Sequence, residues 1–369
     1  MISKPHMRTR ILVVAPSFKI GTGPSNALLF IKYMPTESII FYASDKRTSC
    51  YFTDSKNVKL IFTASLRGLT HYRLSHILRD LTDRFSFDYV ITIAPEYLIF
   101  LPPRMLEKTL AIPQGFLGIA HVRTEFKNLL NAGYYISLLE TYRVSKNVGA
   151  VGAISKYMYN EISRRLKPKR IALLYNPVRE EFFANSKTLD RKAEKLRLLY
   201  VGVLKRLKGV DKLILFMPEV IREFRNVRLD VIGEGPLRSV LEKEVGRMKL
   251  DKYVKIHGRV EGDELLRFYR DATVLVSASY CESFCLPVAE AAAMGIPSVV
   301  RAVYALKEHV ELGYAEGFNR DDPYEFLKAL GRVLDNYEKL SERGREVARV
   351  LYHPYKVAQR VVAVLRELN

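Results

Sequence analysis

Two carboxylates near the carboxyl end of the chain, Glu282 and Glu290, are separated by seven residues and flank a proline. The segment from Tyr280 to Val300 is typical of a strand exit, a loop, a helix and a second strand, and Pro287 is placed where the first helical position is expected. Free backbone N–H groups and the positive end of the helix dipole would meet there, which suits an anion such as a phosphate. Two carboxylates beside an anion also suit a ligand rich in hydroxyls, such as a sugar or a ribose.

Two sets of alternating strands and helices indicate how this segment is positioned. Nearly continuous apolar strands separated by helices predict parallel sheets covered on both faces, here two Rossmann-like doubly wound α/β domains. We expect a first domain at residues 1–180, a second at 181–350 and a terminal helix at 351–369 that crosses back to the first domain. Facing domains of this kind hold ligands at the carboxyl ends of their strands, where the segment around Glu282 falls.

The pattern predicts individual elements in both halves. In the first half the predicted strands are Ile11–Ala15, Ser38–Tyr42, Val58–Thr63, Tyr89–Ile93, Phe116–Ala120 and Val148–Ile154, with helices at Pro24–Tyr33, Leu69–Arg84, Phe126–Arg143 and Lys156–Leu166. In the second half they are Leu196–Val203, Val227–Gly233, Tyr253–Gly258, Thr273–Ala278 and Pro297–Val300, with helices at Val210–Phe224, Leu237–Met248, Asp263–Arg270, Pro287–Met294, Pro323–Asn336 and Tyr355–Leu368.

The net charge of +19 is concentrated in the first half. Residues 1–185 carry 26 Lys and Arg against 13 Asp and Glu, whereas residues 186–369 carry 33 against 27. Such an excess favours an anionic partner: a phosphorylated substrate, an acidic lipid surface or a nucleic acid. It also fits an ion-pair-rich protein from a hot environment. With no apolar run of about 20 residues and no apolar leader, we expect a cytoplasmic protein, with peripheral contact to the inner membrane face as one form of that partnership.

Three further segments could take part in binding. The loop Gly202–Gly209 offers Lys205, Arg206 and Lys208 to a diphosphate, although a basic turn is more often only a solvated loop. Near the amino end, Gly21, Thr22 and Gly23 form a glycine loop after the first strand that could approach a phosphate or an acceptor. His121 follows a predicted strand, and although a lone histidine is usually structural, its place at the sheet edge makes it a candidate for contact with a reacting group.

Several classes of chemistry lack support in the sequence. No Asp-x-Asp pair occurs, which removes a common way of holding a divalent ion for a nucleotide sugar, and we expect neither metal nor cofactor. The three cysteines, Cys50, Cys281 and Cys285, are too few for a disulfide scaffold and are expected to be reduced thiols. The basic run Arg164–Arg170 ends a predicted helix, where positive charge is ordinary, but it could also contact an acidic membrane surface.

Taken together these segments resemble the family 4 retaining glycosyltransferases of the GT-B fold. The resemblance rests on Glu282-Ser-Phe-Cys-Leu-Pro-Val-Ala-Glu290 and its Ala-Ala-Ala-Met-Gly-Ile-Pro continuation, which looks like the E-x7-E signature of that family. The loop Gly202–Gly209, the turn Gly233–Pro236, Gly258 and Tyr175-Asn-Pro177 follow in matching order. Coverage is good from about residue 150 to 325 and thinner before it.

The resemblance implies a role for each matching residue. Glu282 would hold hydroxyls of the donor sugar, Glu290 the ribose hydroxyls, and Lys208 the departing diphosphate, whose charge grows as the glycosidic bond breaks. His121 would act at the reacting group. The remaining donor-site residues implied are Phe284, Cys285 and Leu286 through their backbone, together with Gly202, Lys205, Arg206 and Glu308. The implied reaction keeps the anomeric configuration, needs no metal and moves a sugar from a nucleoside-diphosphate sugar to a sugar, lipid or protein acceptor.

The chain departs from the family pattern at three places. Val203 stands where the family usually has an arginine that pairs with Lys208, so that Lys205 or Arg206 would have to substitute for it. Cys285 replaces the usual glycine, and we expect its side chain to constrain the loop backbone and to narrow the sugar pocket. A glycine pair often found before the position of Glu308 is missing. Two alternatives stay open: a nucleotide-sugar epimerase of similar fold, which the E-x7-E segment argues against, and a basic nucleic-acid-binding protein with a degenerate enzyme fold.

Overall fold

The structure is a computed structural model that describes residues 9–15, 29–36, 38–43, 58–62, 70–93, 101–114, 146–184 and 196–368. The chain divides into two compact units. One comprises Met1–Pro177 together with Pro354–Asn369, and the other comprises Val178–His353. Each unit is built on one parallel β-sheet with helices along the sequence between its strands, so the expected pair of Rossmann-like α/β units is confirmed.

The first unit contains a parallel sheet of short, apolar strands. Its described strands are β1 (Arg10–Ala15), β2 (Ser38–Ala43), β3 (Val58–Phe62), β4 (Tyr89–Thr92), β5 (Thr109–Ala111), β6 (Ala150–Ala153) and β7 (Ile171–Leu173). They lie in the order β3-β2-β1-β4-β5-β6-β7. The described helices before residue 177 are a 3₁₀ helix at Leu29–Tyr33, α1 (Thr70–Arg84), α2 (Pro103–Leu106) and α3 (Lys156–Arg165). Four consecutive residues of β1 from Ile11 to Val14 are at most 1% exposed, as expected for a strand covered on both faces.

The first unit differs from the sequence prediction in a few elements. The described end of the helix predicted at Pro24–Tyr33 is a 3₁₀ helix at Leu29–Tyr33. Strands β5 and β7 were not predicted, because three residues are too few to show a period. The predicted strand Phe116–Ala120 and helix Phe126–Arg143 lie outside the described residues.

The second unit has six parallel strands and most of the described helices. The strands are β8 (Leu196–Val201), β9 (Val227–Ile232), β10 (Val254–Gly258), β11 (Val274–Ser277), β12 (Ser298–Arg301) and β13 (Ala315–Phe318). The helices are α4 (Glu180–Ala184), α5 (Val210–Glu223), α6 (Arg238–Arg247), α7 (Gly262–Asp271), α8 (Leu286–Met294), α9 (Tyr304–Glu311), α10 (Pro323–Asp335) and α11 (Tyr337–Val347). A 3₁₀ helix at Arg206–Lys208 precedes α5, and a π-helix at Ala348–Tyr352 follows α11.

In this unit the order in which the chain adds strands to the sheet reverses beside β8. The sheet runs β10-β9-β8-β11-β12-β13, so the chain moves outward from β8 through β9 to β10 and then returns to pair β11 with the other side of β8. Loops that follow β8 and β11 therefore leave the same edge of the sheet next to each other. In open α/β sheets this is the position at which ligands bind.

The terminal helix, α12 (Pro354–Arg366), belongs to the first unit. The Tyr355 ring meets the Tyr33 ring edge to face at 6.0 Å, and the Arg360 guanidinium donates to the carbonyl of Leu174 at 3.1 Å. An apolar stripe that includes Val357 and Val361 is buried beneath the helix. Within the described residues, no helix combines the length and apolar character needed to cross a bilayer.

Candidate active site

The segment Tyr280–Val300 adopts the predicted order of strand exit, loop, helix and strand. Helix α8 begins at Leu286, one residue earlier than predicted, so Pro287 occupies its second position. Proline is well tolerated there because the first N–H groups of a helix have no partner within it. Helix α8 ends at Met294 and is capped by Gly295, which adopts a left-handed φ of 76°. The residues from Val288 to Met294 are buried, so the helix start is held by a rigid element.

The loop after β8 packs against the loop after β11. Gly209 has a φ of 62°, and a Cβ atom at this position would lie 2.0 Å from the carbonyl oxygen of Ala278, so only glycine fits. The N–H of Tyr280 donates to the carbonyl of Leu207 at 2.9 Å. The side chain of the intervening residue, Lys208, is thereby brought beside the first residues of the signature segment.

Lys208 and Glu282 form an ion pair at this junction. The Nζ atom of Lys208 lies 2.6 Å from Oε1 of Glu282, and the two side chains are 29% and 13% exposed. Burial by itself lowers the pKa of Lys208, but the attraction and hydrogen bond of Glu282 outweigh it and raise the pKa above its ordinary value. The ammonium is therefore charged at neutral pH and already oriented toward an anionic group.

Cys285 occupies the position just before α8 with a left-handed backbone. Its φ is 69° and its ψ is 74°, a conformation that residues with a side chain seldom adopt. Cys285 and Cys281 are both free and buried. Burial raises the pKa of the Cys281 thiol to about 12, and burial raises that of Cys285 further, so both are protonated at neutral pH and poor nucleophiles.

Glu290 lies inside the second unit, at the middle of α8. Only 5% of its surface is exposed, and its Oε2 atom accepts a hydrogen bond of 2.7 Å from the hydroxyl of Tyr269 on α7. Burial raises the pKa of Glu290 to about 7, an effect that the positive charge of Arg179 and the Tyr269 hydrogen bond oppose and the negative charge of Glu181 reinforces. A carboxylate balanced between its two protonation states near neutrality is a feature of functional sites, although structural networks also produce it.

The other residues expected at the donor site are distributed around this junction. Gly202 follows β8, and Lys205 and Arg206 are exposed at the start of the 3₁₀ helix before Gly209. Glu308 is buried in α9, whose Ala305 N–H donates to the carbonyl of Glu282 at 3.3 Å. Phe284 is buried and Leu286 is partly exposed. His121 and the loop residues Gly21, Thr22 and Gly23 lie outside the described residues.

The structure adds residues that the sequence reasoning did not identify. Tyr269 and Arg179 surround Glu290, and His309 contacts the signature segment from α9. Of these only His309 carried a signal in the sequence, because it directly follows Glu308. Among the described residues no cluster of three or more His, Cys, Asp or Glu side chains could hold a metal ion.

Comparison with known proteins identifies the class of enzyme. Residues 181–349 match the family model described as glycosyl transferases group 1. An uncharacterised glycosyltransferase of Methanocaldococcus jannaschii is 28% identical over 258 residues, which cover 65% of this chain and 68% of that protein. The chain is a glycosyltransferase.

A second relative of this glycosyltransferase is the alpha-monoglucosyldiacylglycerol synthase of Acholeplasma laidlawii. It is 30% identical over 167 residues, which cover 45% of the chain and 41% of the synthase. Among solved structures, the Anabaena protein HepE in complex with UDP and glucose superposes with a TM-score of 0.76 at 14% identity, covering 98% of this chain and all of that one. That likeness shows the GT-B type of fold for this glycosyltransferase.

Proposed function

We propose that this glycosyltransferase moves a sugar from a nucleoside-diphosphate sugar to an acceptor with retention of the anomeric configuration and without a metal ion. The main support for the proposal is the Lys208–Glu282 pair, whose Nζ and Oε1 atoms lie 2.6 Å apart. The pair lies beside the start of α8, next to the loops that follow the neighbouring strands β8 and β11. A cation, a carboxylate and helix N–H groups at one point provide partners for both parts of such a donor.

The diphosphate would be held by Lys208 and by the backbone at the start of α8. As the glycosidic bond breaks, negative charge accumulates on the departing diphosphate, and the ammonium would neutralise it without a metal. Lys205 and Arg206, which are exposed in the same loop, would supply the positive charge that Val203 does not. Glu282 would release Lys208 and accept hydrogen bonds from the sugar hydroxyls.

The ribose would be held by Glu290. Its Oε2 atom is engaged by Tyr269, and Oε1 would accept a ribose hydroxyl. This acceptance requires the carboxylate to be ionised when the nucleotide is bound, and the charge of Arg179 favours that form. The roles expected from the sequence complete the proposal. Gly202 and Glu308 would contribute to the donor site, and His121 would contact the reacting group. The loop Gly21-Thr22-Gly23 would approach a phosphate or the acceptor.

An anionic acceptor, such as a lipid carrying phosphate or lying in an acidic membrane, fits the charge of the first unit. The excess of Lys and Arg is concentrated in residues 1–185. In and after α3, Lys156, Arg164, Lys167, Lys169 and Arg170 are all exposed. One relative, the monoglucosyldiacylglycerol synthase, is named for a lipid product. We therefore propose that the first unit recruits the acceptor and the second holds the donor.

Thermal unfolding with UDP, GDP and ADP added separately tests the donor class. A nucleotide present at about 100 times its dissociation constant should stabilise the protein by roughly 2.7 kcal/mol. The nucleotide that binds then defines the donors to be tried with diacylglycerol and other acceptors, with EDTA added to check metal independence and proton NMR to read the anomeric configuration. Absence of a shift with all three nucleotides would contradict the proposal, and formation of an epimer without transfer would favour an epimerase.

A further inference from the structure

A chain of buried hydrogen bonds ends on the loop that precedes α8. The Nε2 atom of His309 lies 2.6 Å from the carbonyl oxygen of Phe284, and Nδ1 of the same ring contacts the hydroxyl of Tyr314. That hydroxyl lies 2.9 Å from the hydroxyl of Tyr352. All four residues are at most 4% exposed, so water cannot replace any of these partners at low cost.

The chemistry of the four groups fixes the direction of the chain. A carbonyl oxygen can only accept, so Nε2 of His309 carries the proton and donates to Phe284. Burial lowers the pKa of His309 to about 4, which leaves the ring neutral and Nδ1 free to accept from Tyr314. The Tyr314 oxygen then accepts from the hydroxyl of Tyr352.

The carbonyl held by His309 belongs to the peptide that joins Phe284 to Cys285. The described residues contain no cis peptide bond, so the N–H of Cys285 points in the direction opposite to that carbonyl. Among the described residues this N–H has no hydrogen-bond acceptor, and it belongs to the residue that caps α8. Fixing the carbonyl toward His309 therefore turns one N–H group at the start of α8 away from His309.

Ring contacts support the same peptide from the side. The Phe284 ring meets the Tyr352 ring edge to face at 5.4 Å and the His309 ring at 5.9 Å. Tyr352 ends the π-helix Ala348–Tyr352, and its carbonyl accepts from the N–H of Val178 at 2.9 Å. The π-helix thus places the Tyr352 ring against Phe284, in the loop that precedes α8.

We propose that His309 is a positioning residue for the donor: it holds the Phe284–Cys285 peptide so that the Cys285 N–H faces the diphosphate of the nucleoside-diphosphate sugar. Tyr314 and Tyr352 fix the tautomer and orientation of the His309 ring. The inference rests on the function proposed above, because it concerns the same site. It adds three residues to the groups that determine donor affinity: His309 on α9, Tyr314 directly before β13 and Tyr352 at the end of the π-helix.

Two substitutions of matched chemistry test the proposal. In His309→Gln the amide nitrogen reaches the place of Nε2 and keeps the bond to Phe284, whereas in His309→Asn it reaches only the place of Nδ1. Calorimetric titration with UDP, GDP or ADP, whichever binds the wild-type enzyme, should show affinity at least about tenfold weaker for the Asn variant and within about threefold of wild type for the Gln variant. Thermal unfolding of both variants measures the accompanying loss of stability.

The outcomes separate this inference from the proposed function. If the wild type binds a nucleotide and both variants lose the same affinity, or neither loses any, His309 does not position the donor. If the wild type binds none of the three nucleotides, the proposed function fails and the positioning role fails with it. Should both variants fail to fold, the ¹⁵N NMR spectrum of histidine-labelled wild type still decides, because a single neutral Nε2–H tautomer of His309 is required and an Nδ1–H tautomer would overturn the proposal.

Discussion

Lys208 and Glu282 lie 74 positions apart in the sequence, yet Nζ of one is 2.6 Å from Oε1 of the other. They meet because β8 and β11 are neighbours in the sheet and the loops after them are tied together by the Tyr280 N–H and the Leu207 carbonyl. A diphosphate and the Glu282 carboxylate would compete for the same ammonium. Donor binding would therefore rearrange this pair, and the two residues should respond differently to substitution.

Replacing Lys208 by Met should weaken nucleoside-diphosphate binding at least about tenfold and remove sugar transfer. The aliphatic stem of methionine keeps the packing, but the charged hydrogen bond to the phosphate is lost. Calorimetric titration and a transfer assay measure both effects. Lys243→Met on α6 removes the same charge from an exposed position and should leave affinity unchanged. Equal weakening in the two variants would show that only the overall field matters.

Replacing Glu282 by Ala should preserve nucleotide binding while removing transfer. The substitution frees Lys208 for the diphosphate but deletes the acceptor of the sugar hydroxyls. Replacing Glu290 by Ala should instead abolish the thermal shift given by the nucleotide, because the ribose loses its partner. The roles assigned to the two carboxylates are wrong if both variants lose nucleotide binding to the same extent.

The sequence predicted the helices, strands and loops around these residues better than the contacts between them. The signature Glu282–Glu290, the loop Gly202–Gly209 before α5 and the helix that begins near Pro287 are local patterns, and the structure has the expected loop or helix at each. Helix α8 was placed within one residue, because proline and glycine mark its two ends through backbone geometry.

The surroundings of the site depend on contacts between distant parts of the chain, which local patterns do not show. From the sequence, Glu290 is expected to be an acceptor that is open to a ligand. In the structure it is buried beside Tyr269 and Arg179, which lie 21 and 111 positions away in the sequence. The His309 chain is likewise assembled from α9, the residue before β13 and the end of a π-helix. The spacing of these residues in the sequence does not indicate that they are in contact, so their contacts could be found only in the folded structure.

Stability should fall as the pH rises from about 4.5 to 7 because of Glu290. The pKa of this carboxyl is about 7 in the folded protein against 4.5 for an ordinary glutamate, so its contribution is fully present below pH 4.5 and is lost as the pH rises through 7. The full difference amounts to about 3 kcal/mol. Urea unfolding of wild type and Glu290→Gln at several pH values measures it. A wild-type profile that parallels that of the Gln variant would contradict the raised pKa.

Nucleotide affinity should show the opposite trend. The ionised carboxylate accepts the ribose hydroxyl, so binding to the wild type should strengthen as the pH rises from about 6 to 8. The phosphate titrates in part of this range, with a second pKa near 6, and Glu290→Gln is the control because the phosphate contribution is common to both proteins. The difference between the two affinity profiles should therefore isolate the ionisation of Glu290.

Replacing Cys285 should separate backbone strain from side-chain contact. Its φ of 69° is costly for any residue with a Cβ atom and most costly for a β-branched one. We expect Cys285→Val to destabilise the protein by about 1–3 kcal/mol through this conformation. Cys285→Ala, which lacks both the thiol and the branch, is the control for loss of the sulfur contacts, and chemical denaturation of the three proteins measures the effects.

The glycine variant at the same position tests the link to the donor. Cys285→Gly relieves the left-handed strain and removes a buried thiol, two effects of opposite sign, so we expect stability to change by less than about 1 kcal/mol. Because the wider loop would admit a larger sugar, the ratio of kcat/KM for a bulkier donor to that for the best donor should increase. If the ratio stays constant while Cys285→Val still destabilises, the left-handed position shapes the loop backbone without setting the size of the sugar pocket.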